Sequence, residues 1–214
     1  MTDKIKLDIV SDVVCPWCII GYKRVAQAIT GMGLEDRIEV EWHPFELNPD
    51  MPPEGEEVHA HIGRKYGTTQ DECIRTLAQM TELGAELGFK FDYFDGFKMV
   101  NTRDLHILLE YAKESNKQTE LKMRLFEAFF SEHKDVSDRQ ILTQEIQHVG
   151  LNESKALARL DDDTFRNQVQ AQEAYLHSLG ISAVPTMIFN NSSVLTGAQP
   201  VDVYKEVLTE IVEH

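Results

Sequence analysis

The chain has 214 residues, 42% of them hydrophobic, and a formal net charge of −15 at pH 7, enough for one large domain or two small ones with an ordinary core. The acidic balance excludes a nucleic-acid surface, which needs clustered positive charge, and the lack of a long uncharged apolar run excludes a membrane-spanning helix. Met1-Thr2-Asp3-Lys4-Ile5 enters a strand directly, without the apolar stretch of a secretory signal, so a cytoplasmic protein is expected. In a reducing compartment three cysteines are not a structural framework, and a close pair points to catalysis.

Ile5, Leu7 and Ile9 alternate with Lys6 and Asp8, the period of a strand. Ser11-Asp12-Val13-Val14 leads to Cys15-Pro16-Trp17-Cys18 and a helix bearing Ile19, Tyr22, Ala26 and Ile29, ended by Gly31 or Gly33. A second strand follows, with Ile38, Val40 and Trp42 on one face and Glu39, Glu41 and His43 on the other. The unit should be a right-handed parallel crossover. Asn48-Pro49-Asp50-Met51-Pro52-Pro53 then breaks the chain. Helices are expected from Val58 to Tyr66 and from Asp71 to Leu87, the latter with a stripe of Ile74, Leu77, Ala78, Thr81 and Ala85. Cys73, beside the stripe, reads as a buried small side chain. Phe89 to Met99 reads as an extended loop whose aromatic rings pack against the first unit or line a groove, with ordinary core packing the safer reading of the rings.

Asn101 or Thr102 caps a helix with Leu105, Leu108, Leu109 and Ala112 inward. Lys117 to Phe130 forms a deeply buried helix, and Ser137-Asp138-Arg139-Gln140 reads as a capping box for the next, which bears Ile141, Leu142, Ile146 and Val149. Asn152 to Leu160 and Asp161 to Leu179 give two more helices. Pro185 to Phe189, the turn Asn190-Asn191 and Ser193 to Thr196 form a hairpin, and Pro200 opens a last helix with Val203, Val207, Leu208 and Ile211. The pattern is a split α/β domain, residues 1–48 plus 161–214, interrupted by a helical domain at 49–160. The two halves must meet, because neither two-stranded piece can bury a sheet alone.

Two cysteines two residues apart, after a strand and at a helix start, make a redox site. The helix N-terminus favours a thiolate on Cys15, and Cys18 lies one turn on, placed to resolve a mixed disulfide. Pro16 suits the first helical turn, and Trp17 at the tip offers an apolar platform to a partner. A structural zinc site needs two more thiols or histidines, and beyond Cys73, with His43 as a candidate, no ligand at useful spacing is evident; no bound metal or cofactor is expected. Pro185 at a strand start has a reason if the Val184–Pro185 bond is cis, which would present the Val184 backbone beside the sulfurs to an extended substrate. His43 and His106 are candidates for carrying protons, although structural roles suit both, and spacing leaves the direction of Asp12 open.

Cys15-Pro16-Trp17-Cys18, the helical insertion, Val184-Pro185-Thr186 and Gly197-Ala198-Gln199-Pro200 together resemble the DsbA-like thioredoxin-fold oxidoreductases over essentially the whole chain. Asn48-Pro49-Asp50-Met51-Pro52 and Asn101-Thr102-Arg103 with His106 are similar to the cytoplasmic FrnE-like branch. The resemblance implies an α/β thioredoxin fold with an all-helical insertion between N-terminal βαβ and C-terminal ββα parts. It also implies thiol–disulfide exchange on protein, peptide or small thiols, with Cys15 the exposed nucleophile, Cys18 its resolving partner and Pro185 the cis-proline. Kappa-class glutathione transferases and 2-hydroxychromene-2-carboxylate isomerases are more distantly similar. They commonly carry serine at the position of Cys15 and lack the second cysteine. Two alternatives remain: a glutathione-dependent transferase or isomerase using Cys15 alone, and a non-catalytic module that binds peptides through its aromatic groove.

Overall fold

A computed structural model describes residues 4–213. Residues 1–3, part of the start read as leaderless, and residue 214 lie outside the described residues. Strand β1 (Ile5–Ser11), helix α1 (Pro16–Gly31) and strand β2 (Ile38–Pro44) form the first unit. β1 and β2 run parallel, from Ile5 against Ile38 to Ser11 against Pro44, as a helical crossover requires. The chain then leaves the sheet for β3 (Glu56–Glu57), α2 (Val58–Tyr66), α3 (Gln70–Glu86) and β4 (Lys98–Met99). Helices α4 (Arg103–Lys113), α5 (Gln118–Phe130), α6 (Arg139–His148), α7 (Glu153–Leu160) and α8 (Asp163–Ser178) follow. β5 (Thr186–Phe189), β6 (Ser193–Thr196) and α9 (Val201–Glu213) close the fold.

β5 pairs antiparallel with β1, Leu7 against Phe189 and Val10 against Thr186, so the sheet order is β2-β1-β5-β6. This is the α/β thioredoxin fold, βαβ then ββα, with α2–α8 inserted. The hairpin loop is 190–192, with Phe189 paired to Ser193; Asn190 and Asn191, at left-handed φ of 48° and 55°, are the central residues of the turn that Ser192 N–H closes on Phe189 O. One continuous buried cluster joins Ile9, Trp42, Met187 and Phe189 of the sheet to Leu121, Leu125 and Phe126 of α5. At the outer edge of β2, Trp42 N–H donates to Gln118 Oε1 and Gln118 Nε2 donates to Trp42 O, both at 2.8 Å. A side-chain amide thus covers a strand edge that would otherwise be unpaired.

Several local expectations shift. On α3 the buried face is Cys73, Met80 and Gly84 with half-buried Leu77, whereas Ile74, Ala78, Thr81 and Ala85 are exposed. Glycine decides the face: a Cβ on Gly84 would stand 2.4 Å from Phe91 Cδ2, so only a glycine lets the Phe89–Phe91 segment come so close. That segment's rings belong chiefly to the core, in the same buried cluster as the sheet. Phe91 and Tyr93 stack, and Phe91 meets Phe130 edge-on at 5.0 Å, so core packing against α5 prevails. Phe94 stays 41% exposed and with Phe97 and His133 lines a shallow pocket of about 120 Å³. The capping box at 137–140 is absent: Asp138 accepts from Gln140 N–H, while Ser137 Oγ donates to Asp135. Thr102 is the N-cap of α4, but Asn101 Oδ1 accepts the free Arg103 N–H. On α9 Tyr204, outside the expected stripe, is buried as fully as Leu208 within it, while the other three stripe residues are only half-buried.

Candidate redox site

β1 ends at Ser11 and a turn closes when Cys15 N–H donates to Asp12 O at 3.3 Å. Cys15 is the N-cap of α1, Pro16 its first residue, and Cys18 N–H donates to Cys15 O at 3.1 Å. Proline forfeits nothing there, because the first helical N–H groups have no partner. Both thiols are free. Cys15 is 4% exposed and Cys18 0%, so the expected exposed nucleophile is nearly covered in this state. Burial, followed by the hydrogen bond to Cys15, pushes the Cys18 thiol well above its ordinary value. Trp17, one residue past the helix start, stands 40% exposed.

Opposite the sulfurs, the Val184–Pro185 bond is cis. Cys15 Sγ lies 3.9 Å from Val184 O, and Val184 N–H finds no backbone partner among the described residues. The loop is held from behind. Gly197 N–H donates to Pro185 O at 2.8 Å, and Arg24 Nη1 donates to Ala198 O at 2.8 Å. A Cβ on Gly21 would stand 3.1 Å from Pro185 Cγ and 3.3 Å from Met187 Cε, so α1 and the proline loop meet at a glycine.

Beneath the cysteines lies a buried charged group that spacing left undecided. Asp12 is 0% exposed, and its Oδ2 accepts Leu47 N–H at 2.8 Å. His106 Nε2, from α4, lies 3.3 Å from Asp12 Oδ1 and 3.1 Å from Phe45 O; shared in this way, it leaves Oδ1 without a well-aligned donor. Burial opposes ionisation of Asp12. His106, the Leu47 N–H and the Lys122 ammonium outweigh it and hold the carboxyl below its ordinary value. His106 is therefore one residue removed from the motif rather than in contact with sulfur.

Sequence reasoning missed Lys122. On α5 it is 1% exposed, with its ammonium 5.3 Å from the Trp42 ring and 5.1 Å from the Phe126 ring. Burial draws it down to about 8, against the opposing charges of Cys18, Asp12 and Cys15. A lysine within an amphipathic helical pattern reads as a surface residue, and no spacing rule would have found it. The rim was missed as well. α2 brings Lys65 and Tyr66, and the aromatic loop brings Tyr93, within electrostatic reach of Cys15. Lys65 Nζ donates to Leu47 O and Asn48 Oδ1 at 2.9 and 2.7 Å, which ties α2 to the Asn48-Pro49 break.

His43 is not brought to the sulfurs. Its Nε2 pairs with Asp8 Oδ1 at 2.6 Å, and Glu41 lies close enough for the three to share a cation. Lys6 already fills that place, 2.9 Å from Asp8 Oδ1 and 3.0 Å from Glu41 Oε2. Cys73 is 1% exposed on α3. Among the described residues no helix is long and apolar enough to cross a membrane.

The profile of the DSBA-like thioredoxin domain matches residues 6–209. The uncharacterized protein YwbO of Bacillus subtilis is 31% identical over 207 residues, covering 96% of each chain. A probable DsbA oxidoreductase from Streptomyces coelicolor superimposes with a TM-score of 0.90 at 28% identity, over 96% of this chain and 89% of that one. The cytosolic disulfide reductase DsbM of Pseudomonas aeruginosa, solved with GSH, shares the fold at a TM-score of 0.63 and 17% identity, over 98% and 100% of the two chains. The family profile and the superimposed folds run over nearly the whole chain. This chain belongs to the DsbA-like thioredoxin domain family and is a thiol–disulfide oxidoreductase.

Proposed function

We propose that the exchange runs through Cys15 and Cys18. Cys15 as thiolate attacks a substrate disulfide; a Cys15–substrate bond forms and the first substrate sulfur leaves as a thiolate. Cys18 then attacks Cys15 Sγ, closing the intramolecular disulfide and releasing the second substrate sulfur. The protein pair loses two electrons and the substrate gains them; run backwards, the same steps oxidise a dithiol. The carrying observation is the 3.9 Å approach of Cys15 Sγ to Val184 O. An extended substrate pairing with the Val184 backbone as an added strand would have its sulfur at Cys15. Trp17 then supplies an apolar platform, and Pro16 and Pro185 shape the two walls.

Protein or peptide thiols are the substrates this reading favours, in a cytoplasmic, FrnE-like setting, with residues 49–160 acting as an inserted helical domain. Glutathione is the second candidate partner. The Lys65 ammonium within reach of Cys15 suits an anionic thiol, and the DsbM structure was solved with GSH. A kappa-type transferase would need only Cys15. The test is the redox equilibrium of the pair in glutathione buffers, with products read by mass. An intramolecular disulfide supports exchange: a potential near about −120 mV marks a donor of disulfides, and one near about −270 mV a reductant. A chain that carries glutathione on Cys15 and never closes the disulfide overturns exchange in favour of the transferase.

A further inference from the structure

Lys122 is the one buried cation under the dithiol among the described residues, and the exchange scheme above assigns it no task. It forms no ion pair there, and its ammonium lies over the faces of two aromatic rings, a contact that offsets only part of the desolvation. An ammonium removed from water without a carboxylate partner is costly, so its place calls for a compensating role. The groups facing it come from every neighbouring element. α1 supplies Cys18, its N-cap is Cys15, and the turn before it supplies Asp12. Together with Lys122, His106 and Glu110 of α4 and His43 of β2 line a cavity of about 10 Å³. The acidic groups in this set are already engaged: Asp12 with Leu47 N–H and His106, and Glu110 with Lys113. The sulfurs are the remaining groups whose charge changes during turnover.

We propose that Lys122, carried into the redox centre by α5, is a positioning residue for exchange, its ammonium supporting the negative charge on Cys15 or Cys18 as each in turn becomes the attacking sulfur. This rests on the exchange chemistry proposed above. When Cys18 attacks Cys15 Sγ, the Cys18 proton ends on the departing substrate thiolate, the Cys15–Cys18 bond forms and the Cys15–substrate bond breaks. Lys122 keeps its own proton throughout. In the dithiol form the ammonium faces ionisable sulfur; in the disulfide form it faces neutral sulfur. The reduced state gains from Lys122 and the oxidised state does not.

Parent and Lys122→Met proteins, equilibrated at pH 7 over a series of reduced and oxidised glutathione ratios, test this through the fraction of intramolecular disulfide and the rate of thiol alkylation. An opposite charge at close range moves a thiol equilibrium by about tenfold or more. Lys122→Met should therefore need about a tenfold higher ratio of [GSH]² to [GSSG] for half-reduction, and alkylate about tenfold more slowly. Leu125→Ala, a packing change on the same helix, should lower stability and leave both readouts at parent values. Lys122→Met superimposing on the parent overturns the inference alone; a parent that forms no disulfide overturns the exchange reading and the inference together. In the unaltered protein, the NMR titration of the Lys122 side chain should have a higher midpoint in the dithiol than in the disulfide form. Equal midpoints overturn the inference whether or not the variant folds.

Discussion

Replacing Lys122 by methionine should stabilise the reduced protein at neutral pH while impairing its chemistry. Burial lowers the lysine from 10.5 to about 8, so the folded chain holds that proton less tightly than the unfolded chain does. The resulting cost is full below about pH 8, where both states are protonated, and fades as pH rises toward 10.5. At about 1.4 kcal/mol for each tenfold change in proton affinity, the fall amounts to about 3 kcal/mol. Methionine keeps the unbranched stem against Trp42 and Phe126, a swap costing less than about 1.5 kcal/mol. Asp12 meanwhile loses one of the charges that favour its ionised form. A net gain of about 1–2 kcal/mol at pH 7 is expected, shrinking toward pH 10, read from urea unfolding of the dithiol forms across that range. A Lys122→Met protein less stable than the parent at pH 7 would show that local charges more than repay the burial, and would refute the reasoning.

Cys18→Ser should leave Cys15 able to attack but unable to be released, so turnover falls by about 100-fold or more and mass spectrometry finds trapped mixed disulfides; unchanged turnover would exclude a resolving role. Gly21→Ala places a Cβ 3.1 Å from Pro185 Cγ and 3.3 Å from Met187 Cε. Overpacking of about 1–3 kcal/mol is set against about 1 kcal/mol gained in helix propensity, so a small loss in urea unfolding should accompany a larger loss in exchange rate. Asp12→Asn addresses acid stability. Because the folded carboxyl lies below its ordinary value of 3.8, its contribution is present above about pH 4 and lost as pH falls through the folded value. The parent should therefore lose stability on acidification more steeply than the variant, as followed by circular dichroism.

The parts of the molecule that were readable in the sequence are those governed by local rules. Strand alternation placed β1 and β2, the Cys15-Pro16-Trp17-Cys18 run placed the start of α1, and Asn190-Asn191 placed the hairpin turn at its observed left-handed φ values. The cis bond at Pro185 was legible only from the proline at a strand start taken together with the Cys15–Cys18 pair. What failed needed long-range knowledge. The inward face of α3 is chosen by the Phe89–Phe91 segment meeting Gly84, a contact no helical period contains. Lys122 and Arg124 are both buried on α5, where an amphipathic reading sends every charge to water. Arg124 is repaid by Glu145 and Glu132, so it is structural; Lys122 forms no such ion pair among the described residues.

That contrast points to a division of labour within the chain. The sulfurs, the proline loop and the sheet come from β1, α1 and β5, the elements that bracket the insertion. The charges around them come largely from inside it: Lys65 from α2, His106 from α4 and Lys122 from α5. A dithiol's preference for its reduced or oxidised form is set by how the surroundings treat negative sulfur, with about 30 mV for each tenfold change in the equilibrium. Residues on the inserted helices can alter that preference without touching the motif or the backbone that carries it. A buried ammonium that costs stability is intelligible in those terms: the fold gives up part of its margin to hold charge where sulfur needs it.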